Sequence, residues 1–133
     1  MKPVFADAFF FFGVVNRHDQ FHAEAIAAAQ KHCGKQVTTG WVLTEFADRL
    51  AESALRHLVT PFIRRLSKDP RVQIIEVSED LFQRGLMLYE ERGDKGWTLT
   101  DCISFIVMTD LKITDALTGD HHFEQAGFRA LLG

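Results

Sequence analysis

Val4-Phe5-Ala6 is apolar at three consecutive positions, so a strand built on it buries both of its faces. That pattern belongs to a central parallel strand. A half-exposed antiparallel strand alternates instead. Parallel neighbours need crossover connections, and a strand buried on both sides needs helices above and below it. The remaining sequence supplies that alternation. Ala8 to Val15 reads as a short buried helix carrying four phenylalanines in a row, Phe9 to Phe12. They cannot all face one core, so at least one is expected against a neighbouring helix or a partner chain. Asp19 is a candidate N-cap for a helix to Cys33, with Gly34 at its end. Gln36 to Thr39 is a second strand, and Trp41 to His57 is helical, with Val42, Phe46, Leu50 and Ala54 on one stripe.

Thr60-Pro61 predicts a new helix start, with the helix running to Leu66. Arg71 to Val77 is a strand, and Ser78 caps a helix to Arg92 closed by Gly93. Thr98 opens a helix over Leu99 to Lys112. Ile113 to Thr118 is a strand, His121 to Ala126 a helical segment ended by Gly127, and Phe128 to Leu132 a last edge strand. No repeat, linker or low-complexity stretch interrupts the series. The expectation is a single domain over 1–133, an α/β fold with helices on both faces of a central parallel sheet.

Four acids stand out against this pattern. Asp7 follows the first strand directly, and Asp120 follows Ala116-Leu117-Thr118-Gly119. Glu45 lies early in the helix after the second strand, and Asp101 lies in the first turn of the helix that Thr98 opens. Helices run antiparallel to parallel strands, so helix N-termini and strand C-termini share one edge, the edge where open α/β sheets bind ligands. Four carboxylates gathered there repel one another unless a cation sits among them. Oxygen-only donors suit Mg²⁺ or Mn²⁺. Each acid also has a local explanation. Asp7 and Asp120 can act as helix caps, Glu45 can pair with Arg49, and Thr98-x-x-Asp101 fits a capping box. Those roles do not predict clustering at one edge; a metal site requires it. Ser104 and Met108 share the helix face of Asp101, so the site is expected to continue along it. Asp94 is close enough in sequence to contribute, whereas Asp48, Asp110 and Asp115 read as solvated.

Composition adds bounds rather than an answer. At 47% hydrophobic and 25% charged, 133 residues build a core without staples. The formal charge of −3 neither advertises nor excludes a nucleic-acid partner. Cys33 and Cys102 form no CxxC pair and read as small buried side chains in a reducing compartment. No signal-peptide pattern and no membrane-spanning run is present, which predicts a cytoplasmic protein with no membrane partner. His18 and His22 are four apart, and His121-His122 follow Asp120, but zinc wants histidines converging with a cysteine or a third ligand. His121 suits phosphate contact at a helix start, or plain surface. Walker A, GxGxxG and GxSxG patterns are absent.

The quoted strings resemble the PIN-domain ribonucleases, of the kind that form the toxin half of VapBC toxin–antitoxin pairs. Val4-Phe5-Ala6-Asp7 resembles the opening strand and first acid, and Asn16 to His22 the stretch N-R-D-x-x-H. Thr38 to Glu45 resembles the segment of the second acid. Trp97 to Phe105, with Asp101, and Ala116 to Phe128, with Asp120, are the most specific matches. The resemblance implies a three-layer α/β/α sandwich with strand order 3-2-1-4-5. It implies Mg²⁺- or Mn²⁺-dependent cleavage of RNA, with Asp7, Glu45, Asp101 and Asp120 as catalytic and metal-binding residues. It further implies a small DNA-binding antitoxin as partner; the Phe9–Phe12 run, with Phe supplying 12 of the aromatic residues, argues separately for a homodimer or a complex with such an antitoxin. Such antitoxins often cover the acidic site with a basic side chain. The family commonly has Ser or Thr two residues after the first acid; here that residue is Phe9. A haloacid-dehalogenase-like phosphatase would need an aspartate at the same place, and Phe9 argues against it. The alternative is a catalytically silent PIN-like module that binds RNA or protein.

Overall fold

A computed structural model describes all residues from Met1 to Gly133. Five strands form one all-parallel sheet: β1 (Val4–Ala6), β2 (Gln36–Thr39), β3 (Val72–Ile75), β4 (Asp115–Leu117) and β5 (Arg129–Ala130). Their order is β3-β2-β1-β4-β5. Between them run α1 (Ala8–Val15), α2 (His22–Lys31), α3 (Gly40–Arg49), α4 (Arg56–Lys68), α5 (Glu79–Glu91), α6 (Leu99–Asp110) and α7 (His121–Gln125). β1 is central and wholly buried, as its doubly apolar sequence requires. Phe5 pairs with Val37 on one side and Ala116 on the other.

The crossovers step outward from β1 in one direction to β2 and β3, then in the opposite direction to β4 and β5. Right-handed crossovers therefore put α1–α4 on one face and α5–α7 on the other. The packing within each face agrees: α1 contacts α2 and α3, α3 contacts α4, α5 packs on α6, and α6 on α7; α3 also meets α6, the helices that carry Glu45 and Asp101. Each face has its own aromatic cluster. Phe11, Phe46 and Phe62 meet with ring centroids 5.5–5.9 Å apart. On the opposite side Phe105 joins Trp97, Phe123 and Phe128 at 5.0, 5.0 and 5.6 Å. The four consecutive phenylalanines all find partners within the chain. Phe10 and Phe11 are buried; half-buried Phe9 packs against Phe21 with centroids 4.8 Å apart and rings tilted by 56°, and half-buried Phe12 lies against Phe46 at 5.3 Å.

Several expected boundaries move. Asp19 does not cap a helix to Cys33; its Oδ1 accepts the Phe21 amide in the preceding turn, and α2 spans only His22–Lys31. Cys33 lies beyond that helix and is exposed, whereas Cys102 is buried. The helix expected to reach His57 stops at Arg49, and turns through 50–55 lead into α4. Pro61 falls inside α4 rather than at its start. The carbonyl its missing N–H would have bonded is that of His57, which is exposed, so water can take its place. Gly34 and Gly93 do not adopt the left-handed conformation of a C-terminal cap, but Gly127 does, at φ 96°. Ser78 and Thr98 cap α5 and α6 as expected.

Candidate functional site

Between β1 and β4 the crossovers diverge to opposite faces, and the C-terminal ends of the two strands open a crevice. Asp7, Glu45, Asp101 and Asp120 all line it, together with Ala8, Phe9, Arg49, Thr98 and His122. Four separate segments supply the acids. Asp7 comes from the end of β1, Glu45 from α3, Asp101 from the first turn of α6, and Asp120 from the start of α7. The cleft measures about 160 Å³. This is the gathering that the local roles left unexplained.

Those local roles are nonetheless partly real. Thr98 and Asp101 form a reciprocal capping box, the Thr98 amide donating to Asp101 Oδ2 at 3.2 Å and the Asp101 amide to Thr98 Oγ1 at 3.0 Å. Asp120 Oδ1 accepts the His122 amide at 2.9 Å, capping α7. Glu45 lies 3.8 Å from Arg49, a contact too long and exposed to fix it firmly. Asp7 is the exception. It occupies the N-cap position of α1 but makes no side-chain cap. Instead Thr118 Oγ1 donates to its Oδ2 at 2.9 Å across the β1–β4 seam. The side-chain hydrogen bonds of Asp101 and Asp120 fall on one carboxylate oxygen each, leaving Asp101 Oδ1 and Asp120 Oδ2 without a protein donor, while Asp7 has the Thr118 hydroxyl on Oδ2 and the Ala8 amide beside its carboxylate.

The electrostatics match a crowded acidic pocket. Burial pushes the Asp7 carboxyl up from its ordinary 3.8 to about 7; the Thr118 hydrogen bond opposes this, and the charges of Glu45 and Asp101 add to it. Glu45 is likewise raised, first by burial, with Arg49 opposing and Asp101 and Asp120 reinforcing. Cys102, beside Asp101, is held up at about 11 by burial and by that neighbour, so it remains a thiol and is no nucleophile at neutral pH.

His122 is the cleft residue that the sequence reading missed. Its Nδ1 donates to Asp101 Oδ2 at 3.0 Å and lies 3.5 Å from Asp120 Oδ1. It ties the two acids together, while His121, the expected phosphate contact, is largely exposed. The signal was present in the spacing: an N-cap aspartate draws the second helical residue toward its carboxylate. Asp120, His121 and His122 can bring one ligand atom each within 4.8 Å of one another, which supplies two nitrogens and no cysteine. His22 is occupied elsewhere, its Nδ1 2.7 Å from the Gly13 carbonyl. Ser104 and Met108 do not extend the cleft; both are buried in the core. Asp94 is turned away and paired with Arg92. Phe9, where a hydroxyl was expected, presses its ring against Gly119: a Cβ there would fall 2.5 Å from Phe9 Cζ. Glycine at 119 lets the ring wall one side of the cleft.

No family model and no curated protein sequence matches the chain. Among solved structures, VapC20 of Mycobacterium tuberculosis, a sarcin–ricin loop cleaving toxin, aligns with a TM-score of 0.89. The alignment covers 98% of this chain and 99% of that one at 21% identity. The protein thus shares its α/β fold, with strand order 3-2-1-4-5, with VapC20 over nearly the whole of both chains.

Proposed function

We propose that this protein is a metal-dependent endoribonuclease that hydrolyses RNA phosphodiester bonds, in the manner of the PIN-domain toxins. The convergence of Asp7, Glu45, Asp101 and Asp120 in one cleft carries the proposal. Its fold, shared with a sarcin–ricin loop cleaving toxin, supports the same reading over a silent binding module. The donor set fits a hard divalent cation such as Mg²⁺ or Mn²⁺: Asp101 and Asp120 each present an oxygen with no protein hydrogen bond, and burial leaves Asp7 poorly solvated as an anion. Asp7, Asp101 and Asp120 would hold the ion. Bound there, it would neutralise the phosphodiester and make the attacking water more acidic.

The side chains divide the remaining work. Thr118 Oγ1 fixes the rotamer of Asp7, and His122 Nδ1 with the Thr98 amide fixes Asp101. Glu45 stands across the cleft, where its carboxylate can orient a water and accept its proton. The short β1 strand and buried α6 make the frame stiff, which suits a site that acts by positioning. No helix is long and apolar enough to cross a membrane. A cytoplasmic location, a small DNA-binding antitoxin partner and a homodimer belong to the same proposal. Cleavage assays on structured RNAs, a sarcin–ricin hairpin among them, test it with Mn²⁺, Mg²⁺ or EDTA. The expected result is metal-dependent cutting that Asp7→Asn abolishes. No cutting with any metal, or cutting that persists undiminished in that variant, overturns it.

A further inference from the structure

A second depression adjoins the acid cleft, of about 430 Å³, and it is aromatic rather than acidic. Phe9, Phe12, Phe21 and Leu50 form its apolar surface, and Arg49, Asp19 and Gln20 complete its lining. Phe9 and Arg49 line both depressions, so the two lie side by side with those residues between them. Phe9 packs on Phe21 with centroids 4.8 Å apart, and the Arg49 guanidinium lies over the Phe12 ring at 5.3 Å from its centroid. All three phenylalanines are half-buried. Asp19 accepts the Phe21 amide at 2.8 Å and so fixes the turn that presents that ring.

We infer that this groove is a stacking subsite for one unpaired nucleotide next to the scissile phosphate, a reading that rests on the acid cleft holding an RNA phosphodiester. Rings and a guanidinium plane offer flat surfaces to a nucleobase, and such stacking is tolerant of base identity. Arg49 is the one cation at the junction of groove and cleft. Its side chain is 64% exposed, lies over the Phe12 ring and is only loosely held by Glu45 at 3.8 Å, so its solvent side can meet the phosphate that links the stacked nucleotide to the cleft. An apolar peptide side chain would use the rings but leave unexplained a cation set between them and an acidic, metal-suited cleft. A base-paired strand cannot enter, because a base must leave its helix to stack there. The groove thereby directs cleavage to loops and bulges.

The test reads binding separately from cleavage. Single-stranded RNA heptamers of mixed sequence carry 2-aminopurine at one position each, and binding is followed with Ca²⁺ in place of Mn²⁺. Wild-type protein is expected to quench the probe at one position and to bind the single strand more tightly than a duplex of the same sequence. Phe12→Leu and Phe21→Leu keep apolar volume but remove the rings; each should lose that quench and weaken binding roughly 5- to 150-fold. Phe21→Trp should retain both. Arg49→Ala, at an exposed site that folding does not need, should weaken binding and lower the salt slope by about one. Unchanged binding and quench in both leucine variants overturn the subsite, as does equal affinity for duplex. A change confined to oligomeric mass or to a co-purifying protein also overturns it, because the groove then seats protein. If wild-type protein cuts RNA with Mn²⁺ but shows no position-specific quench, the subsite fails and the nuclease stands. If the quench is present and no RNA is cut with any metal, the nuclease fails instead.

Discussion

Replacing Asp7 with asparagine should make the metal-free protein more stable while removing its activity. The magnitude follows from burial. Asp7 is 6% exposed, and its carboxyl is pushed from 3.8 to about 7 in the folded chain. A raised carboxyl favours folding only while it is neutral. That contribution is complete below about pH 3.8, fades as pH rises, and is gone above about 7. At about 1.4 kcal/mol per pH unit, carrying Asp7 as an anion at pH 8 costs the metal-free fold about 4 kcal/mol. Asparagine has no charge to bury, and its Oδ1 can still accept the Thr118 hydroxyl, so the variant should recover most of that cost. Urea unfolding in EDTA measures it: a gain of up to about 4 kcal/mol at pH 8, shrinking toward zero at pH 4. Mn²⁺ should narrow the gap at pH 8 by stabilising the wild type and not the variant. Equal stability at pH 8, or the same gain at both pH values, would refute the burial argument.

Asp101 and two glycines make further predictions. Asp101→Asn should cut RNA about a hundredfold or more slowly, seen in single-turnover assays, with circular dichroism unchanged. Asp101→Ala should additionally lose the capping box and the His122 contact, lowering stability by about 1–2 kcal/mol in urea unfolding. Gly85→Ala, whose added Cβ would collide with Ile103 Cγ1 in the tight α5–α6 contact, should cost about 1–3 kcal/mol without altering the metal response. Gly119→Ala should displace the Phe9 ring and slow cleavage more than it lowers Tm, because that ring walls the cleft.

Much of the architecture was legible because the first strand is so restrictive. A run apolar on both faces at Val4–Ala6 admits few neighbours, and strand–helix alternation then dictates a parallel sheet with its ligand edge at Asp7. Helix starts with a hydroxyl cap, Ser78 and Thr98, were readable because the cap is a local interaction. What was not legible depended on tertiary contact or on a rival local signal. Pro61 imitates a helix start, yet the helix it belongs to begins five residues earlier, where Ser53 Oγ accepts the Leu55 amide and its carbonyl accepts the Arg56 amide. Cys33 looked like a continuing apolar pattern and lies instead in the exposed connection between α2 and β2. Met108 and Ser104 lie on the side of α6 that carries Asp101, but only the first turn of that helix reaches the crevice; the rest is core.

The local and the collective readings of the acids do not compete, because a carboxylate has two oxygens. Asp101 uses Oδ2 for the Thr98 amide and His122, Asp120 uses Oδ1 for the His122 amide, and Asp7 uses Oδ2 for Thr118. Each hydrogen bond fixes a rotamer and so aims the other oxygen. A cap at a helix start is therefore a means of presenting a ligand, with the backbone amide doing for Asp101 and Asp120 what Thr118 does for Asp7. This explains why the capping-box pattern at Thr98–Asp101 could not discriminate between structure and function: the same geometry serves both. It also explains why Asp7 carries the largest perturbation among the acids. It alone sits at a strand end between two neighbours, makes no helix cap, and is buried where the Thr118 hydroxyl and the Ala8 amide do not replace the water its charge has lost.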